Sequence, residues 1–476
     1  MPDDSDGWLD ALGARADRDW WADRIGPGGW PPRWAAVIVA FGLAAHALML
    51  RRLLDAVPAG ARPGLLDSKI FEYIGWYLTT GADLYVDAWE VKPPLNFEVT
   101  ALLALLTPNV TVYHWANVGL SIVLAVASAV LAGAVVAEHT GDELAAVTAG
   151  LTLYALPAFH WRAAFGYKAK YLVLAAGLLA VWLALRDRPL GAGAAAGVAV
   201  ATWQLAVVFP VLVAGLVARR GERPALRRAT IAFVAVGVLT VAPVVVLWNA
   251  VGAMLVQVVF TPFIATEQAT ALDHARFARE LLGTVLPVFL VGLYGAVRTL
   301  RRPARDERWW VAVGAAWYLG VLLFFDLDFY PDLFPPMAFV AVGAGLLVAN
   351  DRRRWGWVPL LVAGTAAVGV LTFGGFGTAP RLFVPDGRFV PGAGAIGRPP
   401  YSGAEHAILY WRRVTPATCR IFFGPTQRRL IRAVGGSPTQ ETCGRAVRAA
   451  ADAAFGRRWP LGAAGPVALV RAALAA

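Results

Sequence analysis

Long apolar runs, separated by short polar or basic stretches, recur along this chain. Trp34 to Met49, Val118 to Ala137 and Thr230 to Trp248 are nearly free of charge. Each approaches the roughly 20 residues that a helix needs, at 1.5 Å rise, to cross about 30 Å of hydrocarbon. Soluble core helices rarely run so far without a polar face. The pattern predicts an all-α polytopic membrane protein with about 11 transmembrane helices. They fall over 34–50, 112–137, 144–159, 170–185, 190–203, 205–218, 230–250, 282–299, 309–325, 333–349 and 356–376. One stretch needs a choice. Residues 190–218 as a single helix would be about 43 Å long, more than the hydrocarbon core accepts. Two short helices turning near Thr202, Trp203 and Gln204 avoid that length.

Charge supports the same division. Basic clusters lie at Arg186/Arg188, Arg219 to Arg228, Arg298 to Arg308 and Arg352 to Arg354. With a cytoplasmic N-terminus and a split 190–218, all four fall on the cytoplasmic side, as the positive-inside rule requires. The loop from Glu138 to Glu143 falls there too, yet has no Lys or Arg, and fits less well. The first segment, 1–33, carries Asp3, Asp4 and Asp6 and lacks the basic start of a signal peptide. It is expected to be a cytoplasmic leader. Residues 34–376 then form the transmembrane domain, with a long first outer loop over 51–110. Residues 377–476, rich in Gly, Pro and Arg, are expected to be a small α/β domain on the outer face.

Composition closes off other classes. Of 476 residues, 58% are hydrophobic and 16% charged, with a mean hydropathy of +0.57, against about a quarter charged in soluble domains. A soluble enzyme is excluded. The net charge of +11 comes from the interhelical clusters, so nucleic-acid binding is not expected. Cys419 and Cys443 both lie in the outer C-terminal region, as a candidate disulfide or as two unrelated thiols. The histidines are too scattered for a zinc site. Asp326 and Asp328 end a span on the outer side, where they could bind a divalent metal, though no obligatory metal or other cofactor is expected.

Candidate chemistry concentrates in the first loop. It reads Asp67-Ser68-Lys69-Ile70-Phe71-Glu72-Tyr73-Ile74-Gly75, then Gly81-Ala82-Asp83-Leu84-Tyr85-Val86-Asp87-Ala88-Trp89-Glu90-Val91-Lys92-Pro93-Pro94-Leu95. Aromatic rings alternate with carboxylates, which suits a membrane interface and the stacking of sugar faces. The pattern from Asp67 to Leu95 resembles the first outer loop of GT-C glycosyltransferases, in the branch of protein O-mannosyltransferases and aminoarabinose transferases. Phe329-Tyr330-Pro331-Asp332-Leu333-Phe334-Pro335-Pro336-Met337-Ala338 is similar to that branch's entry into a late helix.

The resemblance implies a GT-C helical bundle. It implies an inverting transferase that moves a sugar, mannose being the expected one, from a polyprenyl or dolichyl phosphate to a hydroxyl. The acceptor would be a lipid-linked glycan, a lipid or a protein, met at the extracytoplasmic face of the cell membrane. The family's catalytic acid falls on Asp67. Many protein mannosyltransferases have Asp-Glu where this chain has Asp67-Ser68, so a second assisting carboxylate is not implied. A hydroxyl nucleophile needs a carboxylate to take its proton. The phosphate leaving group needs fixed cations. Lys92, Arg162, Lys168 and Lys170 are the candidates, with Arg276 and Arg279 behind them and Asp87, Tyr73 and Tyr85 as further substrate contacts. His160 reads as an interfacial histidine. The alternative function is a transporter or flippase, which would place ionisable groups at mid-bilayer.

Overall fold

The computed structural model describes residues 32–57, 61–63, 66–107, 109–221, 223–261, 270, 275, 285–301, 307–324, 330–372, 383–385, 410–411 and 413. The first helix, α1 (Arg33–Ala56), leads to β1 (Ala61–Pro63) and to α2 (Leu66–Leu78) and α3 (Leu95–Leu106). Then come α4 (Val110–Thr140), α5 (Glu143–Tyr154), α6 (Pro157–Trp161), α7 (Ala169–Leu185), α8 (Pro189–Thr202), α9 (Val208–Arg219) and α10 (Arg223–Val246). After α11 (Val251–Met254) the backbone widens into a π-helical turn over Leu255–Phe260. The series ends with α12 (Leu286–Arg298), α13 (Trp309–Phe324), α14 (Phe334–Asn350), α15 (Arg352–Trp355), α16 (Val358–Thr372) and β2 (Phe383–Pro385).

Among the described residues, four helical stretches are long and apolar enough to cross a membrane: α1, α4, α10 and Arg352–Thr372. Helices α7, α8, α9, α13 and α14 are apolar but shorter. A helix occupies each expected apolar run, with two departures in shape. The run 144–159 is not one straight helix, because α5 stops at Tyr154 and the chain turns by 78° into Pro157–Phe165. Pro157 has no N–H to give and opens a new helix at its first turn. Residues 190–218 are two helices, parted at Trp203, whose backbone is extended at φ −152°. The first loop is also more ordered than a loop. It holds α2 and α3, the second starting where Pro93 and Pro94 allow a helix to begin.

Small residues let the helices meet backbone to backbone, as membrane bundles without an internal hydrophobic drive require. Where α12 crosses α14, a Cβ on Gly292 would overlap the carbonyl oxygen of Val340, and one on Gly343 that of Gly292. Polar caps finish the ends. Asp142 accepts hydrogen bonds from the N–H groups of Leu144 and Ala145 at the start of α5.

The loops at one end are tied together by ion pairs. Arg186 pairs with Glu138 at 2.6 Å, Arg352 with Asp142 at 2.7 Å, and Arg220 with Asp187. The loop from Glu138 to Glu143, which has no Lys or Arg of its own, is thus the acidic partner of its basic neighbours. Beyond α16, β2 returns to pair antiparallel with β1, Arg62 opposite Val384. Apart from residues 410–411 and 413, the remainder of the expected C-terminal domain, with Cys419 and Cys443, lies outside the described residues.

Gly343→Val is expected to lower stability by about 1–3 kcal/mol or more, since the clash is with backbone that cannot turn aside. Gly320→Ala on α13, where a Cβ meets nothing within 4 Å, should leave it unchanged. Thermal unfolding of the detergent-solubilised protein distinguishes the two.

Candidate active site

Two segments far apart in sequence build one cationic cleft. Lys92 comes from the turn before α3, and Lys168 and Lys170 from the entry to α7. Together with Ile70, Phe71, Glu90, Ala169 and Trp203 they line a cavity of about 110 Å³. Lys168 and Lys170 are buried. Lys170 forms an ion pair with Asp332 and its ammonium lies 5.3 Å from the centre of the Trp203 ring. Cations so placed are drawn to any anion that can enter, because little water screens them.

The turn that brings Lys92 in is held on all sides. Tyr85 has φ 69°, unusual for a bulky side chain and costing about 1–3 kcal/mol. It persists because its N–H donates to Ala88 O at 2.8 Å and its hydroxyl to Lys92 O at 2.8 Å. Its carbonyl accepts from Gln257 Nε2 at 2.7 Å. Asp87 closes the same turn, accepting from the Asp83 N–H at 2.8 Å. Gln257 also accepts from the Glu90 N–H at 3.1 Å, and Gln204 donates to Val91 O at 3.1 Å. Asn96, wholly buried, donates to Thr202 O and accepts from the Tyr167 hydroxyl at 3.0 Å.

Behind the cleft is a buried charge cluster. Glu72 on α2 meets Lys69 at 2.5 Å, and Lys69 Nζ lies 2.8 Å from His114 Nδ1. None of the three side chains is more than 1% exposed. The other carboxylate oxygen of Glu72 accepts from the Tyr167 N–H at 3.0 Å. Burial pushes the Glu72 carboxyl up, but the Lys69 ammonium and the His114 ring outweigh it, so the group is held below its ordinary value. Burial lowers Lys69 in turn, against the attraction of Glu72. Tyr410 covers the cluster, its ring centre 4.4 Å from Lys69 Nζ.

Of the residues singled out from the sequence, Lys92, Lys168 and Lys170 are brought together. Tyr73 and Tyr85 are buried in the aromatic core of the first loop, Tyr73 stacked on Tyr77. Arg162 lies over the Trp161 ring at 4.9 Å and does not line the cleft. His160 is buried and its carbonyl faces His46 Nδ1 at 3.1 Å. Asp67 belongs to α2, while its side chain lies outside the described residues, as do Arg276, Arg279, Asp326 and Asp328. No group of three His, Cys, Asp or Glu among the described residues is placed to hold a metal ion. The reading from sequence missed Trp203 and Gln257, and assigned no role to Glu72, Glu90 or Asp332. Lys69 and Glu72 stand at i, i+3, a helix-face spacing that signals a pair. Nothing in the sequence signals His114 as their partner.

Residues 81–247 match the family model for DolP-mannose mannosyltransferase. That stretch contains all three cleft lysines and begins after Asp67. The chain is also similar to the dolichol phosphate-mannose mannosyltransferase of Haloferax volcanii, 26% identical over 413 residues that span 80% of this chain and 90% of that one. Among solved structures it resembles ArnT from Cupriavidus metallidurans bound to undecaprenyl phosphate, at 16% identity and a TM-score of 0.48 over 84% of this chain and 79% of that chain.

One carboxylate near the lysine turn stands apart. Glu98 Oε1, in the first turn of α3, is buried without a hydrogen-bond partner among the described residues. Burial raises the Glu98 carboxyl from 4.5 to about 8. Between those values the folded protein keeps a proton that the unfolded chain has lost, so stability falls as pH rises through the window. Glu98→Gln is expected to be more stable than wild type at pH 8 and nearly equal to it at pH 5. Melting curves at the two pH values check this.

Proposed function

We propose that this chain is an inverting glycosyltransferase that moves mannose from a dolichyl or other polyprenyl phosphate to a hydroxyl acceptor. The observation that carries the reading is the cleft of Lys92, Lys168 and Lys170. It lies beside α2, the helix that carries Asp67. The similarity to a dolichol phosphate-mannose mannosyltransferase over most of the chain supports the donor. The apolar runs and the one-sided basic loops support about 11 spans, with the cleft on the extracytoplasmic face. A glycan, lipid or protein hydroxyl is the acceptor class, and no obligatory metal or other cofactor is invoked.

In this mechanism the acceptor hydroxyl attacks the anomeric carbon as Asp67 takes its proton. The bond from that carbon to the phosphate oxygen breaks, and configuration inverts. The phosphodiester, with one negative charge, becomes a phosphomonoester with nearly two. Lys92, Lys168 and Lys170 face that growing charge. Trp203 and Phe71 offer flat apolar walls to the sugar. Among the described residues the transporter reading gains no observation of its own, since Lys92, Lys168 and Lys170 gather in one cleft.

Membrane vesicles given labelled polyprenyl-phosphate mannose and a lipid-linked or protein acceptor test the assignment. Asp67→Asn should lower the transfer rate by about 10²- to 10⁴-fold while the protein inserts normally. Lys92→Met should lower it by about 10²-fold. Full transfer by Asp67→Asn would remove Asp67 as the base.

A further inference from the structure

The phosphate cleft joins two segments that no covalent neighbour holds together. Lys92 follows α2 in the first loop, whereas Lys168 and Lys170 begin α7. The second segment meets α2 through the Phe71–Tyr167 ring contact and through a hydrogen bond accepted by Glu72. We propose that Glu72 is a positioning residue for the transfer reaction: it clamps the Gly166–Tyr167 backbone to α2 and so holds Lys168 and Lys170 in register with Asp67. The inference rests on the reading of the cleft as the phosphate site.

Four observations carry it. One oxygen of Glu72 accepts the Tyr167 N–H at 3.0 Å, immediately before Lys168. The backbone at Gly166 has φ 119° and passes so close that a Cβ there would overlap Glu72 Oε1. Only glycine meets both conditions. Ser121 on α4 donates to the Gly166 carbonyl at 2.8 Å, so the peptide is held from its other side too. Finally, the second oxygen of Glu72 is occupied by Lys69, which fixes the carboxylate's rotation, with Tyr410 closed over the ammonium. A buried carboxylate with every partner supplied by a different segment sets geometry more than it adds stability.

The test compares two variants in which the buried charges are both removed. Lys69→Met/Glu72→Gln keeps a side-chain oxygen for the Tyr167 N–H, whereas Lys69→Met/Glu72→Leu does not. Two readouts are taken on detergent-solubilised protein: mannose transfer kinetics with polyprenyl-phosphate mannose, and tryptic cleavage after Lys168 and Lys170. In the wild type both lysines are 6% exposed and should resist trypsin. The Leu variant is expected to lower kcat/KM for the donor by on the order of tenfold, about 1.4 kcal/mol, with kcat falling by more than KM rises. It should also be cut at Lys168 or Lys170. The Gln variant should rescue both readouts, and Gly166→Ala should reproduce the Leu variant from the opposite side of the contact. A Leu variant with wild-type kcat/KM and wild-type protection overturns the clamp. So does a pair of variants that lose melting temperature equally but keep normal kinetics. If the wild type transfers no mannose, the transferase reading fails and takes the catalytic role of Glu72 with it. The tryptic pattern still decides separately whether the contact holds the segment.

Discussion

A carboxylate that water cannot reach must find every partner within the protein, and Glu72 draws its partners from separated parts of the chain. Lys69 lies one turn back on the same helix, His114 begins α4, and Tyr167 precedes α7. The backbone carbonyl of Glu72 is used as well, accepting from Tyr113 at 2.8 Å. Removing any one partner leaves a charge or a polar group stranded where the effective dielectric is low. The elements around the cleft are therefore not free to drift independently. The turn carrying Lys92, the entry to α7 and the break at Trp203 are joined to this centre through Asn96, which touches both Tyr167 and Thr202.

The two ends of the bundle solve different electrostatic problems. At the basic-loop end, guanidinium groups pair with Glu138, Asp142 and Asp187, and several of these groups are partly exposed. Such pairs contribute little stability each, and their arrangement follows from which loops lie side by side. At the opposite end the charges are buried: Lys69, Glu72, Lys168 and Lys170 are all nearly inaccessible. Burial of that kind is unfavourable unless hydrogen bonds are complete, and groups kept at such a cost are commonly functional. Between the ends the helices need only small residues and apolar surface, as at the crossing of α12 and α14.

Much of this was legible in the amino-acid order. Apolar length and the spacing of basic clusters located the helices, including the division of 190–218, because both follow from the thickness and asymmetry of a bilayer. Lys92, Lys168 and Lys170 stood out as cations in loops assigned to one side. What was not legible depends on contacts between distant positions. Hydropathy cannot see the 78° turn before Pro157, since apolar residues continue across it. It also cannot see that Arg162, four residues before Gly166, stacks on Trp161 and stays out of the cleft. Glu72 looked like one carboxylate among several in the first loop, and only the approach of Gly166 and His114 distinguishes it.

On the proposed reading, the ion pairs of the cleft bear on how the donor is held and how the lipid phosphate leaves. Lys92, Lys168 and Lys170 line it together with Glu90, and Lys170 is paired with Asp332. A phosphodiester donor brings a single negative charge to these lysines. The leaving phosphomonoester carries nearly one charge more, and a lysine that gives up its carboxylate partner would match it. Lys170, paired with Asp332 at the mouth of α14, is placed to make that exchange. Binding of this kind tightens as the bond to the sugar breaks, and interactions stronger in the transition state than in the ground state are the ones that raise the rate. The same Asp332 can then reclaim Lys170 and help expel the lipid phosphate, so the ion pair that weakens donor binding also limits retention of the product.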